Sequence, residues 1–242
     1  MASETKQIFR PKHLTAEDIK EGCVTLYGDN NEETKLCMIQ EEFRQGIDTI
    51  QAFGRSVTFY GSARLSEDHP AYKAARNLSF RIAKELGYAI LSGGGPGIME
   101  AANRGAFEAG GKSVGLTIKL AHEQITNPYL TDEIPFYFFF ARQTSMSYTT
   151  EACVFFTGGF GTFDELFEML TLKQTRKIGD VPIILVGKEF WNPLQEVILK
   201  NLLQKYKTVS PNDVALYTIT DNEEEILQII KESKLRTGLD VL

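Results

Sequence analysis

Histidine and cysteine are scarce in this 242-residue chain, at three each, and neither occurs in a pattern that binds a metal. Cys23, Cys37 and Cys153 are widely spaced with no C-x-x-C pair, and no two of His13, His69 and His122 share a helical face, so no metal site is expected. The cysteines read as reduced structural thiols. Positive charge is also in deficit, with 26 Lys and Arg against 32 Asp and Glu and a formal net charge of -6. Proteins that track nucleic-acid phosphates carry a basic stripe, so nucleic acid is not an expected partner. No stretch approaches the roughly 18 apolar residues that span a bilayer, and residues 1–12 lack a secretion signal's apolar run. No membrane partner is expected, and the expected location is cytoplasmic.

What is present is an alternation of short apolar runs with helix-length segments, beginning at Val57. Strands are expected at 57–60, 88–92, 113–118, 153–157, 182–186 and 215–219, each too apolar to leave a face in water. Helices are expected between them, near 71–86, 98–108, 140–149, 163–175, 193–206 and 223–233. This is the pattern of a doubly wound, Rossmann-like α/β domain over 55–242, with a parallel sheet and helices on both faces. Residues 1–54 are polar, with helical apolar spacing at Phe43, Ile47 and Ile50, and read as a helical N-terminal extension. Segment 119–136 is the longest connection without periodicity, a loop placed to line or cover a pocket.

Two glycine-rich runs each join an apolar strand to a helix. The first is Ser92-Gly93-Gly94-Gly95-Pro96-Gly97, with the helix starting at Ile98. Glycines let backbone N–H groups converge without obstruction, and the dipole of the following helix favours an anion such as phosphate. Ile98 stands where a dinucleotide fingerprint needs its third glycine, which argues against hydride transfer. Gly111-Lys112-Ser113 mimics the end of a nucleotide triphosphatase loop, but Ala106 replaces its first glycine and a helix leads into a strand there. Gly110 and Gly111 therefore read as a helix C-cap. The second run is Thr157-Gly158-Gly159-Phe160-Gly161-Thr162-Phe163-Asp164-Glu165. Two such loops at the carboxyl ends of parallel strands can face each other, which suits a small-molecule nucleotide. On spacing alone, Thr162-x-x-Glu165 also reads as a capping box in which Glu165 serves only its own helix.

Together with Gly61-Ser62-Ala63-Arg64, these loops resemble the "lonely guy" family of cytokinin-activating nucleotide phosphoribohydrolases, often labelled lysine decarboxylases. The likeness runs from about residue 57 to residue 233. Gly158-Gly159-Phe160-Gly161-Thr162-x-x-Glu165 matches the family signature Pro-Gly-Gly-x-Gly-Thr-x-x-Glu in all but its first position, and the run from Gly94 to Asn103 matches equally well. The resemblance implies hydrolysis of the bond between an adenine-type base and ribose 5-phosphate, as in AMP or an N6-modified AMP, without a cofactor. It implies that Gly159, Gly161 and Thr162 hold the phosphate and that Arg142 and Glu165 act at the ribose. Ser62 and the first loop, through Gly94, Gly95 and Gly97, complete the pocket. It also implies a homodimer, with the helices flanking the second loop at its interface and Arg142 near the pocket.

Two positions depart from the family pattern: Gln143 stands where a lysine follows the arginine, and Thr157 replaces the opening proline. They motivate a second reading, a non-catalytic nucleotide or molybdenum-cofactor-type carrier. A true decarboxylase needs pyridoxal phosphate on a lysine, and no lysine here is singled out for it. Phe136, Tyr137, Phe138, Phe139 and Phe140 read as core, and Asp164 and Glu168 as a solvated helical face. Leu166, Phe167, Leu170 and Leu172 exceed one helical stripe, a pattern consistent with burial against a second subunit.

Overall fold

A computed structural model describes residues 14–29, 31–119 and 126–235. His13, His122 and residues 1–12 lie outside the described residues. Seven parallel strands among the described residues form one sheet: β1 (Ser56–Tyr60), β2 (Ala89–Ser92), β3 (Ser113–Ile118), β4 (Asp132–Phe136), β5 (Ala152–Phe155), β6 (Ile183–Leu185) and β7 (Thr218–Ile219). Their order is β4-β3-β2-β1-β5-β6-β7. The chain winds outward from β1 to β4, then returns to pair β5 with β1's free side, in the register Val57 with Ala152. Winding reverses there, so the loops after β1 and β5 diverge and leave a crevice at the strands' carboxyl ends.

Every residue of β1, β2, β3, β5 and β6 is buried, because helices cover both sheet faces as expected. On one face α3 (Pro70–Arg81), α4 (Ile98–Glu108) and α8 (Glu223–Glu232) pack Tyr72, Leu78, Ala102 and Ile226 against Phe59 and Val154. On the other lie α2 (Glu32–Ala52), α5 (Phe139–Thr149), α6 (Phe160–Gln174) and α7 (Lys188–Val197), which bring Ile50, Met146, Leu166 and Trp191 onto Leu91 and Phe155. The first helix, α1 (Ala16–Tyr27), opens on a capping box between Thr15 and Asp18 and packs on α2 through Ile19, Cys23 and Met38.

Several expectations are corrected. Cys23 and Cys37 form a disulfide between α1 and α2, and Cys153, buried in β5, takes no part in it. The two helices fold back on each other, bringing together cysteines that no sequence motif pairs. The segment 119–136 contains a strand, β4, which pairs with β3 from Val114–Asp132 to Ile118–Phe136. Strand 215–219 shortens to β7, preceded by a turn of 3-10 helix at Asp213–Ala215. Pro193 lies inside α7 instead of opening it, and α6 starts at Phe160 instead of 163.

Candidate functional site

A cavity of about 760 Å³ opens over the carboxyl ends of β1 and β5. One wall is the second glycine loop. A Cβ on Gly158 would sit 2.1 Å from Thr162 Oγ1, so the loop can close onto α6 only with glycine there. Gly159 is the N-cap of α6 and supplies no side-chain cap, and the expected capping box between Thr162 and Glu165 does not form because both lie within the helix. Phe163 N–H donates to the Gly159 carbonyl at 3.0 Å, as the first intrahelical bond. The preceding N–H groups of Phe160, Gly161 and Thr162 have no partner within the helix, and they carry its positive dipole end. Nothing lies within 4 Å of a Cβ built on Gly159 or Gly161, so the space before these donors is open.

The loop after β1 ties the walls together. Ser62 N–H donates to the Thr157 carbonyl at 2.9 Å, and the Ser62 carbonyl accepts from Ile98 N–H at 2.9 Å. This contact explains Gly97, whose Cβ would lie 2.3 Å from that carbonyl. Ser62, Gly159, Gly161, Thr162, Arg142 and Glu165 all line the cavity, whereas Gly94, Gly95 and Gly97 are buried behind it and are not among its lining residues. Asn127 holds the first loop in place, its amide donating to the carbonyls of Gly94 and Gly95 at 3.1 Å each.

From α5, Arg142 enters the cavity only 8% exposed. Its Nη1 donates to the Leu116 carbonyl at 3.4 Å, its Nη2 lies 3.5 Å from Glu165 Oε1, and its guanidinium stands 5.2 Å from the centre of the Phe139 ring. Its buried Nε has no hydrogen-bond partner. Burial pushes the Glu165 carboxyl up to about 7; Arg142 opposes the rise, and Asp164 and Glu168 add to it. A carboxyl that changes charge near neutrality beside a fixed cation is suited to proton transfer or to stabilising a developing positive charge.

Reading the aromatic run as core holds for Phe136, which is fully buried, and fails for Tyr137, Phe139 and Phe140, which are exposed. Phe139 lines the cavity instead. Glu168 is likewise not on a solvated face: it is partly buried, accepts from Ser147 Oγ at 3.3 Å, and its carboxyl is raised by burial. Gln143 donates to Asp164 Oδ2 at 3.3 Å and also supports Glu168. Of the four apolar α6 residues, Leu166 is buried in its own core, Leu170 and Leu172 pack against it, and Phe167 is exposed.

A second cavity, about 660 Å³, lies beyond Thr157 against Leu78, Phe156, Val186 and Ile226. Polar groups on its rim are already engaged: Asp221 accepts from the N–H groups of Gly187 and Lys188, and His69 Nδ1 from that of Ala71. Among the described residues no group of three or more His, Cys, Asp or Glu is placed to hold a metal ion. No helix among them is long and apolar enough to cross a membrane.

The family model described as "Possible lysine decarboxylase" matches residues 99–230, more than half of the chain, including Arg142, the second glycine loop and Glu165. The chain belongs to this family. Among its relatives, the cytokinin riboside 5'-monophosphate phosphoribohydrolase LOG2 of Arabidopsis thaliana is 26% identical over 188 residues, covering 76% of this chain and 86% of the relative. The phosphoribohydrolase LOG5 of the same plant is 25% identical, covering 75% and 79%. The molybdenum cofactor carrier protein of Chlamydomonas reinhardtii superimposes with a TM-score of 0.56 at 20% identity, covering 74% of this chain and 97% of that one. The molybdenum cofactor binding protein of Rippkaea orientalis gives 0.53 at 22%, covering 73% and 93%. These two structures share the fold of this lysine-decarboxylase-like chain.

Proposed function

We propose that the chain hydrolyses the N-glycosidic bond of a nucleoside 5′-monophosphate, AMP or an N6-modified AMP, to free base and ribose 5-phosphate. The carrying observation is that one cavity holds the first-turn residues of α6, whose amides precede the first intrahelical bond, beside the Arg142–Glu165 pair. The names of the LOG relatives support the reading. In it, the amides of Phe160, Gly161 and Thr162 grip the phosphate and Arg142 the ribose oxygens. As the bond from C1′ to the base breaks, the sugar becomes oxocarbenium-like, and ionised Glu165 stabilises that charge. Water adds its oxygen to C1′, Glu165 accepts the water's proton, and that proton then passes to the nitrogen of the departed base, which leaves Glu165 ionised again. The test is incubation with AMP and with N6-modified AMP: free base and ribose 5-phosphate are expected in equal amounts. Retention of intact nucleotide without turnover would sink the enzyme reading.

Gln143 and Thr157 favour the second reading, a carrier that binds a nucleotide or molybdenum-type cofactor without turnover, the ligand class named for the Chlamydomonas neighbour. The two readings part at Gln143→Lys. The new ammonium would stand beside Asp164 and Glu168 and favour ionised carboxylates, so an enzyme's rate profile should shift about one unit toward acid. A carrier acquires no such profile. We also propose a homodimer, supported by Phe160 at 98% exposure and by exposed Phe167 on the same helix; light scattering should give twice the 27.2 kDa chain mass.

A further inference from the structure

We propose that Glu42, on α2, is a positioning residue for Arg142. The helix that carries Arg142 has no cap of its own: the N-cap of α5 is Phe138, whose side chain accepts nothing, and its first turn holds no acidic residue. Glu42 takes that place from another part of the chain. Its carboxylate accepts the N–H groups of Tyr137 at 2.7 Å and Phe138 at 3.1 Å, and the residue is 1% exposed. Arg142 stands one turn further on, its own N–H donating to the Phe138 carbonyl at 3.2 Å. Fixing the backbone at Tyr137 and Phe138 therefore fixes where the guanidinium begins, and Phe139 between them carries the ring beside it.

One turn along α2, Gly46 sets how closely the two helices approach. A Cβ there would lie 2.6 Å from Ser145 Oγ and 2.7 Å from Phe136 Cζ. Glu42 and Gly46 are thus successive contacts on one buried stripe of α2, holding α5 at a defined height over the sheet. Glu42 also lies ahead of residues 99–230, the stretch matched by the family model. Burial raises its carboxyl pKa, and the two amide bonds oppose the rise.

The inference rests on Arg142 being the site's cation, and its test separates that reading from Glu42's role. Two readouts are followed in Glu42→Gln, Glu42→Asp and Gly46→Ala: base release from AMP, and the ¹⁵Nε resonance of Arg142, identified by its loss in Arg142→Ala. Glu42→Gln is expected to lower kcat about tenfold with KM changed less than about threefold. It should displace the Arg142 resonance and cost almost nothing further in an Arg142→Ala background. Gly46→Ala, which keeps the carboxylate, should displace the same resonance, and Glu42→Asp should restore part of the loss. A lowered melting temperature with the resonance and kcat unmoved overturns the proposal, as does an undiminished cost in the Arg142→Ala background. If the wild-type protein releases no base from AMP, the nucleotide reading fails by itself, and the resonance alone decides for or against Glu42.

Discussion

Glu165→Gln is expected to lower the proposed base release from AMP by about three orders of magnitude, within the range that removal of a positioned acid-base group produces. AMP affinity should stay within about threefold, because the variant is isosteric and removes a carboxylate's repulsion of an anionic ligand. In the proposed reading the phosphate's donors are backbone amides at the start of α6, a helix start that the substitution leaves in place. Single-turnover assays report the chemistry and calorimetry the affinity. Near-normal turnover in this variant rules out Glu165 as the group that meets the developing charge.

The same carboxyl fixes a pH dependence. In the proposed mechanism Glu165 acts in its ionised form, and burial holds its pKa at about 7 instead of the ordinary 4.5. Catalytic efficiency should therefore climb with pH through about 7 and level off above it. Stability runs the other way. The folded state binds the proton more tightly than the unfolded chain, so this group's contribution is fully present below the unfolded pKa and is lost as pH rises through about 7. Holding the ionised group in the cavity then costs about 2–3 kcal/mol near neutral to alkaline pH, after allowing for the solvent that still reaches it. Glu165→Gln should consequently melt higher than wild type at about pH 8, with the gap closing below about pH 5. Parallel melting curves across that range check the sign.

Most of the strands that were legible are buried on both faces, where a short apolar run such as Cys153 to Phe156, bounded by turn residues, reads as a two-sided strand. β4 escaped detection because it is an edge strand containing Asp132, Glu133 and Pro135, residues a central strand would exclude. Both glycine loops were legible as loops, but not the purpose of each glycine. Gly97 makes room for a neighbouring carbonyl and Gly159 faces open space, a difference set by chain segments far away in sequence. Glu165 was ambiguous for a related reason: its spacing from Thr162 fits a cap, and only the helix start at Phe160 frees it for other work. Phe139 differs from Phe136 in no local feature, so nothing within the run tells the ring beside Arg142 from the one in the core. Glu42 was invisible, since a glutamate on an amphipathic helix ordinarily faces water.

Arg142→Ala is expected to lower the proposed base release by about two to three orders of magnitude, the usual cost of deleting a preorganised group that meets transition-state charge. AMP affinity falls too, by about tenfold, because the guanidinium is the buried cation on the cavity wall. Arg142→Lys should recover little of either. The native side chain reaches the Leu116 carbonyl with one nitrogen and Glu165 with another while its plane lies near the Phe139 ring. An ammonium has one centre and no plane, so it cannot make all three contacts together. Loss of the guanidinium also removes the charge that opposes burial at Glu165, so the residual activity should titrate above about 7. Added guanidinium salt should restore part of the rate and draw the inflection back toward 7 in Arg142→Ala but not in Glu165→Gln. Rescue without that return would mean the cation serves the ribose alone, and the two groups would then have to be treated as independent.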